Sequence, residues 1–127
     1  MKRIVICILA LGLLTGIACK KTDGSLSTTI AGKTFVWEKE GFGGDFTITL
    51  NADGTYQYYE GFLSSYIGMG TWTVKDGTVI LTEQGGQTSV YRFAVKDGAL
   101  VYIADGSDNF LYVKTTDGDR FLPEDTN

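Results

Sequence analysis

Residues 68–82 constrain the fold most strongly, because they predict a strand, a two-residue turn and a second strand. In the first strand Trp72 and Val74 share one face, and polar residues alternate with them on the other. This period of two is typical of a half-buried strand. Asp76-Gly77 then provides the two residues with positive φ angles that a type I′ hairpin turn requires. Most of the sequence after residue 30 repeats this unit.

The repeats predict eight strands joined mostly by turns of two to five residues. They lie at 29–38, 45–50, 55–60, 68–75, 78–82, 89–95, 99–104 and 110–115, with a short ninth candidate at 120–122. Strands joined so tightly are antiparallel neighbours, and closing the sheet removes its exposed edges. We therefore predict an all-β, eight-stranded antiparallel up-and-down barrel over residues 30–122, followed by a disordered tail at 123–127. The alternative, a two-sheet sandwich, needs Greek-key crossovers for which few connections are long enough.

The first 18 residues have the pattern of a targeting segment. A charged start, Met1-Lys2-Arg3, precedes an apolar run at 4–14 that is short for a spanning helix, which needs about 20 residues. Ala18 before Cys19 resembles the lipobox of bacterial lipoproteins, although Gly16 departs from it. The resemblance implies a signal peptide at 1–18, acylation of Cys19 by chains such as palmitate, and a flexible tether at 19–29. Ordinary secretion and a spanning helix are the alternatives.

The residue inventory argues against several kinds of chemistry. The chain has no histidine, and its two cysteines, Cys7 and Cys19, fall in the signal peptide and at the acylation site. Ser-His-Asp and Cys-His catalysis therefore lack their residues, and soft metal ligands are missing. The acids lie mainly in Asp-Gly turns, where hydrogen bonds to the backbone explain them. We predict a protein that is not an enzyme and that has no cofactor and no metal.

The charge of the chain argues against nucleic acid as a partner. Of the 11 basic residues, Lys2 and Arg3 belong to the signal peptide, so nine face 15 acidic residues in the mature chain. The resulting formal charge of −6 is opposite to the clustered basic face of a nucleic-acid binder. We expect a monomer that is attached to a membrane by its N-terminal lipid.

Two aromatic loops are the candidate binding region. Phe42 lies in the loop at 41–44, and Phe62 and Tyr66 lie in the loop at 61–68, one hairpin further on. Such loops fall at the same end of a barrel, where they can form the mouth of a cavity, an inward plug or a patch for a partner. Alternation assigns seven aromatic residues to the barrel interior: Trp37, Tyr56, Tyr58, Trp72, Tyr91, Phe93 and Tyr102.

The arrangement of turns and aromatics resembles a known group of barrels. The pattern runs through Phe46–Tyr56, Gly70-Thr-Trp72, Lys75–Thr82, Ser89–Arg92 and Asp97–Leu100. It is similar to lipocalin-like barrels of bacterial lipoproteins, most closely to the N-terminal domain of copper-resistance and envelope-stress (NlpE-like) lipoproteins. Copper-resistance members carry Cys-x-x-Cys where this chain has Gly41-Phe-Gly-Gly44, so the copper role does not carry over.

The expected function is a lipid-anchored protein of the cell envelope, with the outer membrane as its expected location. Lys20 and Lys21 follow Cys19 with no aspartate at the second position, which resembles an outer-membrane sorting signal. The barrel would bind an envelope protein or a small apolar ligand at its loop-bearing end. The alternatives are an envelope-stress sensor and a periplasmic inhibitor or assembly accessory that acts by protein contact.

Overall fold

Eight short strands form one closed sheet in the computed structural model, which describes residues 24–84 and 88–124. In chain order they are β1 (Lys33–Trp37), β2 (Thr47–Leu50), β3 (Thr55–Tyr59), β4 (Ile67–Lys75), β5 (Thr78–Glu83), β6 (Ser89–Lys96), β7 (Ala99–Ile103) and β8 (Arg120–Pro123). Each strand pairs antiparallel with the next, and β8 pairs with β1. The predicted fold class, an all-β, eight-stranded antiparallel up-and-down barrel of lipocalin-like form, is confirmed.

Side-chain alternation and turn chemistry produce the strands as predicted. In β5 the side chains of Val79, Leu81 and Glu83 are buried, and the residues between them are half-buried. The turn before β5 has φ angles of 52° at Asp76 and 77° at Gly77, as a type I′ hairpin requires. Short turns of this kind fix the register of the sheet locally.

The predicted strand at 110–115 is wrong, and the short candidate at 120–122 is the true eighth strand. Residues 110–115 have no strand pairing, whereas Phe121 lies opposite both Trp37 of β1 and Leu100 of β7. The side chain of Phe110 is buried, and the amides of residues 111–113 donate to the carboxyl group of Glu60. Amides held in this way are not available to a neighbouring strand.

The first predicted strand began too early. Residues 24–30 form a short helix, and β1 begins only at Lys33. Gly32 has a φ of 78° between the two elements, and its amide donates to the carbonyl of Leu50. The helix includes residues 24–29, which were predicted to belong to the tether; residues 19–23 lie outside the described residues. Within 24–84 and 88–124, no helix has the length and hydropathy that a membrane crossing requires.

The C-terminal boundary was also placed slightly early. Pro123, predicted to begin the tail, is the last residue of β8. The amide of Glu124 donates to the carbonyl of Thr34 across the seam to β1. Residues 125–127 lie outside the described residues.

The barrel has two unlike ends. At one end, here called the short-turn end, the connections are the turns at 51–54, 76–77 and 97–98. The helix at 24–30 leads into β1 at this end, and its last residue, Ile30, is buried in the core. The other end, here called the loop end, carries the connections at 38–46, 60–66 and 104–119, and the one at 84–88, of which residues 85–87 lie outside the described residues. The core fills the space between the two ends.

Candidate binding surface at the loop end of the barrel

Aromatic rings pack throughout the barrel interior. All seven residues that were assigned to the interior from alternation lie in the buried core, with exposed fractions of 7% or less: Trp37, Tyr56, Tyr58, Trp72, Tyr91, Phe93 and Tyr102. The core also contains rings that were not among these candidates: Phe35, Phe46, Phe110 and Phe121. Aromatic side chains therefore take up the space in which a barrel of this size would hold a small ligand.

Phe110 reaches the interior from the loop end. Its ring stacks on Tyr91 with a centroid separation of 4.1 Å and an interplanar angle of 6°. It also makes edge contacts with Phe46 at 4.9 Å and with Tyr58 at 5.0 Å. These edge and stacked geometries are favourable for aromatic pairs. The chain thus fills its own interior with a side chain from the connection between β7 and β8.

A buried glutamate lies beside this aromatic cluster. Tyr91 donates a hydrogen bond of 2.8 Å and Tyr58 one of 3.3 Å to Oε1 of Glu83, and the hydroxyl of Tyr66 donates to Oε2. Burial raises the pKa of Tyr58 and of Tyr91, while the hydrogen bond to Glu83 raises the pKa of Tyr66. In the described part of the chain, the buried hydroxyl of Tyr56 has no hydrogen-bond partner. The hydroxyls of Tyr58, Tyr66 and Tyr91 are therefore held in their neutral form and donate to Glu83.

A second buried glutamate, Glu60, joins three loops. Its Oε1 accepts from the amides of Tyr112 at 2.8 Å and Val113 at 2.6 Å, and its Oε2 accepts from the amide of Leu111 at 3.1 Å. Its own carbonyl accepts from the amide of Phe42 at 2.6 Å. Burial raises the pKa of the Glu60 carboxyl, and the three amides lower it only in part. Glu60 thus links its own loop, 60–66, to the loops at 38–46 and 104–119.

The loops that Glu60 joins present a group of exposed apolar side chains. We call this group the apolar patch and define it as Phe42, Phe62, Leu63, Leu111 and Tyr112, each between 42% and 71% exposed. The rings of Phe42 and Tyr112 stack at 5.4 Å, and the amide of Leu63 donates to the carbonyl of Phe42. Leu63 covers Gly43 and Phe62 covers Gly44, so a side chain at either glycine would collide with them. The patch is therefore a built surface rather than scattered apolar residues.

The three predicted mouth residues have different environments. Phe42 and Phe62 belong to the apolar patch, on loops that hydrogen-bond to each other. Tyr66 is 39% exposed at the rim, and its hydroxyl points to Glu83. Sequence reasoning did not find Glu60, Leu63, Leu111 or Tyr112 as parts of this surface. Apolar content was the one available signal for Leu63, and a false strand assignment hid Leu111 and Tyr112.

The connections that carry the apolar patch are rich in acidic residues. The three described connections of the loop end carry eight acids against two lysines: Glu38, Glu40, Asp45, Glu60, Asp105, Asp108, Asp117 and Asp119, with Lys39 and Lys114. Lys39 forms a salt bridge of 2.9 Å with the buried Asp119, which also accepts from the indole of Trp37. Burial alone would raise the pKa of Asp119, but Lys39 and the amide of Thr116 together lower it. The loop end is therefore strongly acidic.

Metal sites and similar proteins provide no further assignment. Among the residues that the structure describes, no group of three or more His, Cys, Asp or Glu side chains is arranged to hold a metal ion. Comparison with family models, curated proteins and solved structures found no match to this chain.

Proposed function

We propose that this chain is a non-enzymatic, lipid-anchored lipoprotein of the bacterial cell envelope whose barrel binds a partner protein through the apolar patch. The observation that carries the proposal is the contrast between a barrel interior packed with rings and a built apolar surface that faces water. Contiguous exposed apolar patches, especially those rimmed by polar residues, are typical of interaction sites. A ligand carrier would instead need Phe110 to leave its stack on Tyr91.

The anchoring part of the proposal rests on the sequence Ala18-Cys19, which lies outside the described residues. A diacylated Cys19 holds the barrel at the membrane, and Lys20-Lys21 favours the outer membrane as the location. The test is Cys19→Ser in the full-length chain, followed by separation of membrane and soluble fractions. We expect the variant to leave the membrane fraction and to lose labelling by palmitate analogues. Retention of both properties would disprove the anchor.

The binding part is tested by photo-crosslinking in the source cells. A photoreactive phenylalanine replaces Phe62 in the apolar patch, and a matched variant carries it at Leu122, an exposed apolar residue on β8. We expect a discrete heavier species from position 62 and none from position 122. Equal adducts from both positions, or none from position 62, would contradict docking at the loop end.

A separate measurement tests the alternative that the barrel carries a small apolar ligand. Native mass spectrometry of the purified protein, before and after organic extraction, reports any apolar molecule bound beside the anchor acyl chains. We expect the mass of the acylated chain alone, because aromatic side chains pack the interior. An extractable apolar molecule of fixed stoichiometry would replace partner docking with ligand carriage.

A further inference from the structure

The two ends of the barrel differ in how they relate to the N-terminal segment. The helix at 24–30 enters β1 at the short-turn end, where Ile30 is buried and the amide of Gly32 donates to Leu50. Cys19 precedes this helix by five residues, which span at most about 18 Å when fully extended. A seven-residue helix adds only about 10 Å. A lipid on Cys19 therefore attaches the barrel to the bilayer from the short-turn end, opposite the loop end.

The charges of the two ends differ in the same sense. Among the residues that the structure describes, the short-turn end carries four acids and three lysines: Asp53, Asp76, Asp97 and Glu124, with Lys33, Lys75 and Lys96. The three described loop-end connections carry eight acids and two lysines, and Arg92 and Arg120 at the rim add positive charge. In the tether, Lys20 and Lys21 outnumber the single acid, Asp23, and leave a net positive charge on the bilayer side. Acidic lipid headgroups therefore attract the tether and repel the loop end.

The loop that carries Phe42 has a net negative charge. Glu38, Glu40 and Asp45 are exposed on the same loop as Phe42. The one lysine of that loop, Lys39, already pairs with Asp119 at 2.9 Å. A partner that buries the patch must bring apolar groups to its centre and positive charge to its rim, because like charges that face each other across an interface weaken binding.

From this geometry we infer that the loop end faces away from the anchoring bilayer and binds a protein segment whose apolar side chains are flanked by lysine or arginine. The inference deepens the proposed function and rests on it, since it names the chemistry of the partner and the side from which the partner approaches. The patch supplies the apolar contact, and Glu38, Glu40 and Asp45 supply the complementary charge.

The charge inference is tested with two synthetic heptapeptides that alternate leucine and phenylalanine with either lysine or glutamate. Each peptide is titrated onto full-length protein in phosphatidylcholine vesicles and followed by fluorescence anisotropy, with protein-free vesicles as the blank. We expect saturable binding of the lysine peptide that is weaker at high salt, and at least about tenfold weaker binding of the glutamate peptide. We expect Phe62→Ala to weaken binding of the lysine peptide by about tenfold and Leu122→Ala to leave that binding unchanged.

Matched charge variants locate the attraction. Glu40→Gln with Asp45→Asn removes two charges at the loop end, and Asp97→Asn with Glu124→Gln removes two at the short-turn end. We expect the first pair to weaken binding of the lysine peptide by about threefold and to reduce the salt dependence of that binding. We expect the second pair to do neither. Equal binding of both peptides, equal effects of both pairs, or no lysine-peptide binding overturns the charge inference. The crosslink at position 62 then reports separately whether the proposed function stands.

Orientation is measured in the same vesicles with headgroup quenchers. A fluorophore is attached at position 96, at the short-turn end, or at position 62, at the loop end. We expect stronger quenching at position 96. Stronger or equal quenching at position 62 would show that the loop end faces the bilayer, which overturns the inference.

Discussion

The short-turn end and the loop end connect the same eight strands by opposite means. At the short-turn end, the turns themselves are held by hydrogen bonds between close neighbours, as where the amide of Gly54 donates to Asn51 and that of Thr55 to the side chain of Asp53. At the loop end they join residues far apart in the sequence, such as Glu60 to Val113, 53 positions away. The first end closes the sheet locally, and the second assembles a surface. The apolar patch therefore depends on a few long-range polar contacts, whereas the short turns depend on local ones.

Replacing Phe110 tests most severely whether the loop end belongs to the core. Phe110→Ala removes the ring stacked on Tyr91 at 4.1 Å and should lower the free energy of unfolding by about 4 kcal/mol. Ile30→Ala, at the short-turn end, should cost about 3 kcal/mol. Urea denaturation measures both variants. A loss below about 1 kcal/mol for Phe110→Ala would mean that the ring is not a structural part of the interior.

Removing Glu60 should break the loop end while leaving the short-turn end intact. Glu60→Ala leaves three amides without their acceptor, at residues 111, 112 and 113. We expect a loss of about 3 kcal/mol in the free energy of unfolding, since each buried unpaired amide costs roughly 1–3 kcal/mol and some regain water. Hydrogen exchange should quicken at 111–113 and stay slow in β4 and β5.

The control for Glu60→Ala is Asp53→Ala at the short-turn end. Asp53 accepts hydrogen bonds from the amide and hydroxyl of Thr55 within an exposed turn. Its removal should change stability far less than that of Glu60 and leave exchange at the loop end unaltered. Equal losses from the two variants would remove the distinction between local and long-range construction.

The free energy of unfolding should depend on pH in a way that reflects the raised pKa of Glu60. Burial raises the pKa of its carboxyl above the ordinary 4.5, so the folded protein binds this proton more tightly than the unfolded chain does. The contribution of Glu60 to the free energy of unfolding therefore rises as the pH falls from neutrality through the raised pKa, and it levels off below pH 4.5. Subtracting the unfolding free energies of Glu60→Gln from those of the wild type at each pH isolates the effect. A difference that does not change with pH over this window would show that the Glu60 carboxyl has an ordinary pKa.

The smallest expected effect concerns the salt bridge between Lys39 and Asp119. Lys39→Met removes a half-exposed partner and should cost about 0.5 kcal/mol, whereas Lys96→Met at the short-turn end should cost still less. Because folding lowers the pKa of Asp119, the contribution of this carboxyl to the free energy of unfolding is present above pH 3.8. It is lost as the pH falls through the pKa that Asp119 has in the folded protein. In Lys39→Met this acid loss should begin at higher pH. Acid unfolding monitored by tryptophan fluorescence measures the shift.

The part of the molecule that was predictable from sequence is the part built locally. The Asp76-Gly77 turn and the alternation of β5 each depend on residues within a few positions, and both match the structure. The loop end is different. The alternating pattern at 110–115 suits a strand, and nothing near it in sequence indicates that Glu60, some 50 residues earlier, takes its amides.

The same distinction explains the outcome for individual site residues. Phe42 and Phe62 were predicted to lie at one end because a single hairpin separates their loops, which is a local argument. The roles of Glu60 and Glu83 depend on partners from other strands and loops, such as Tyr58 and Tyr91 for Glu83. Nothing in the local sequence of Glu60 or Glu83 distinguishes a buried glutamate that joins several segments from a solvated glutamate at the surface.

The late position of β8 in the chain has a consequence for folding. β1 can pair with β2 early, but its other edge stays open until β8 is available, and the Trp37 indole bonds to Asp119 across 82 positions. Contacts of such separation make folding slow and leave strand edges exposed in the meantime. A growing polypeptide therefore leaves this edge of β1 open to pairing with other chains until the segment after residue 119 is available to close the barrel.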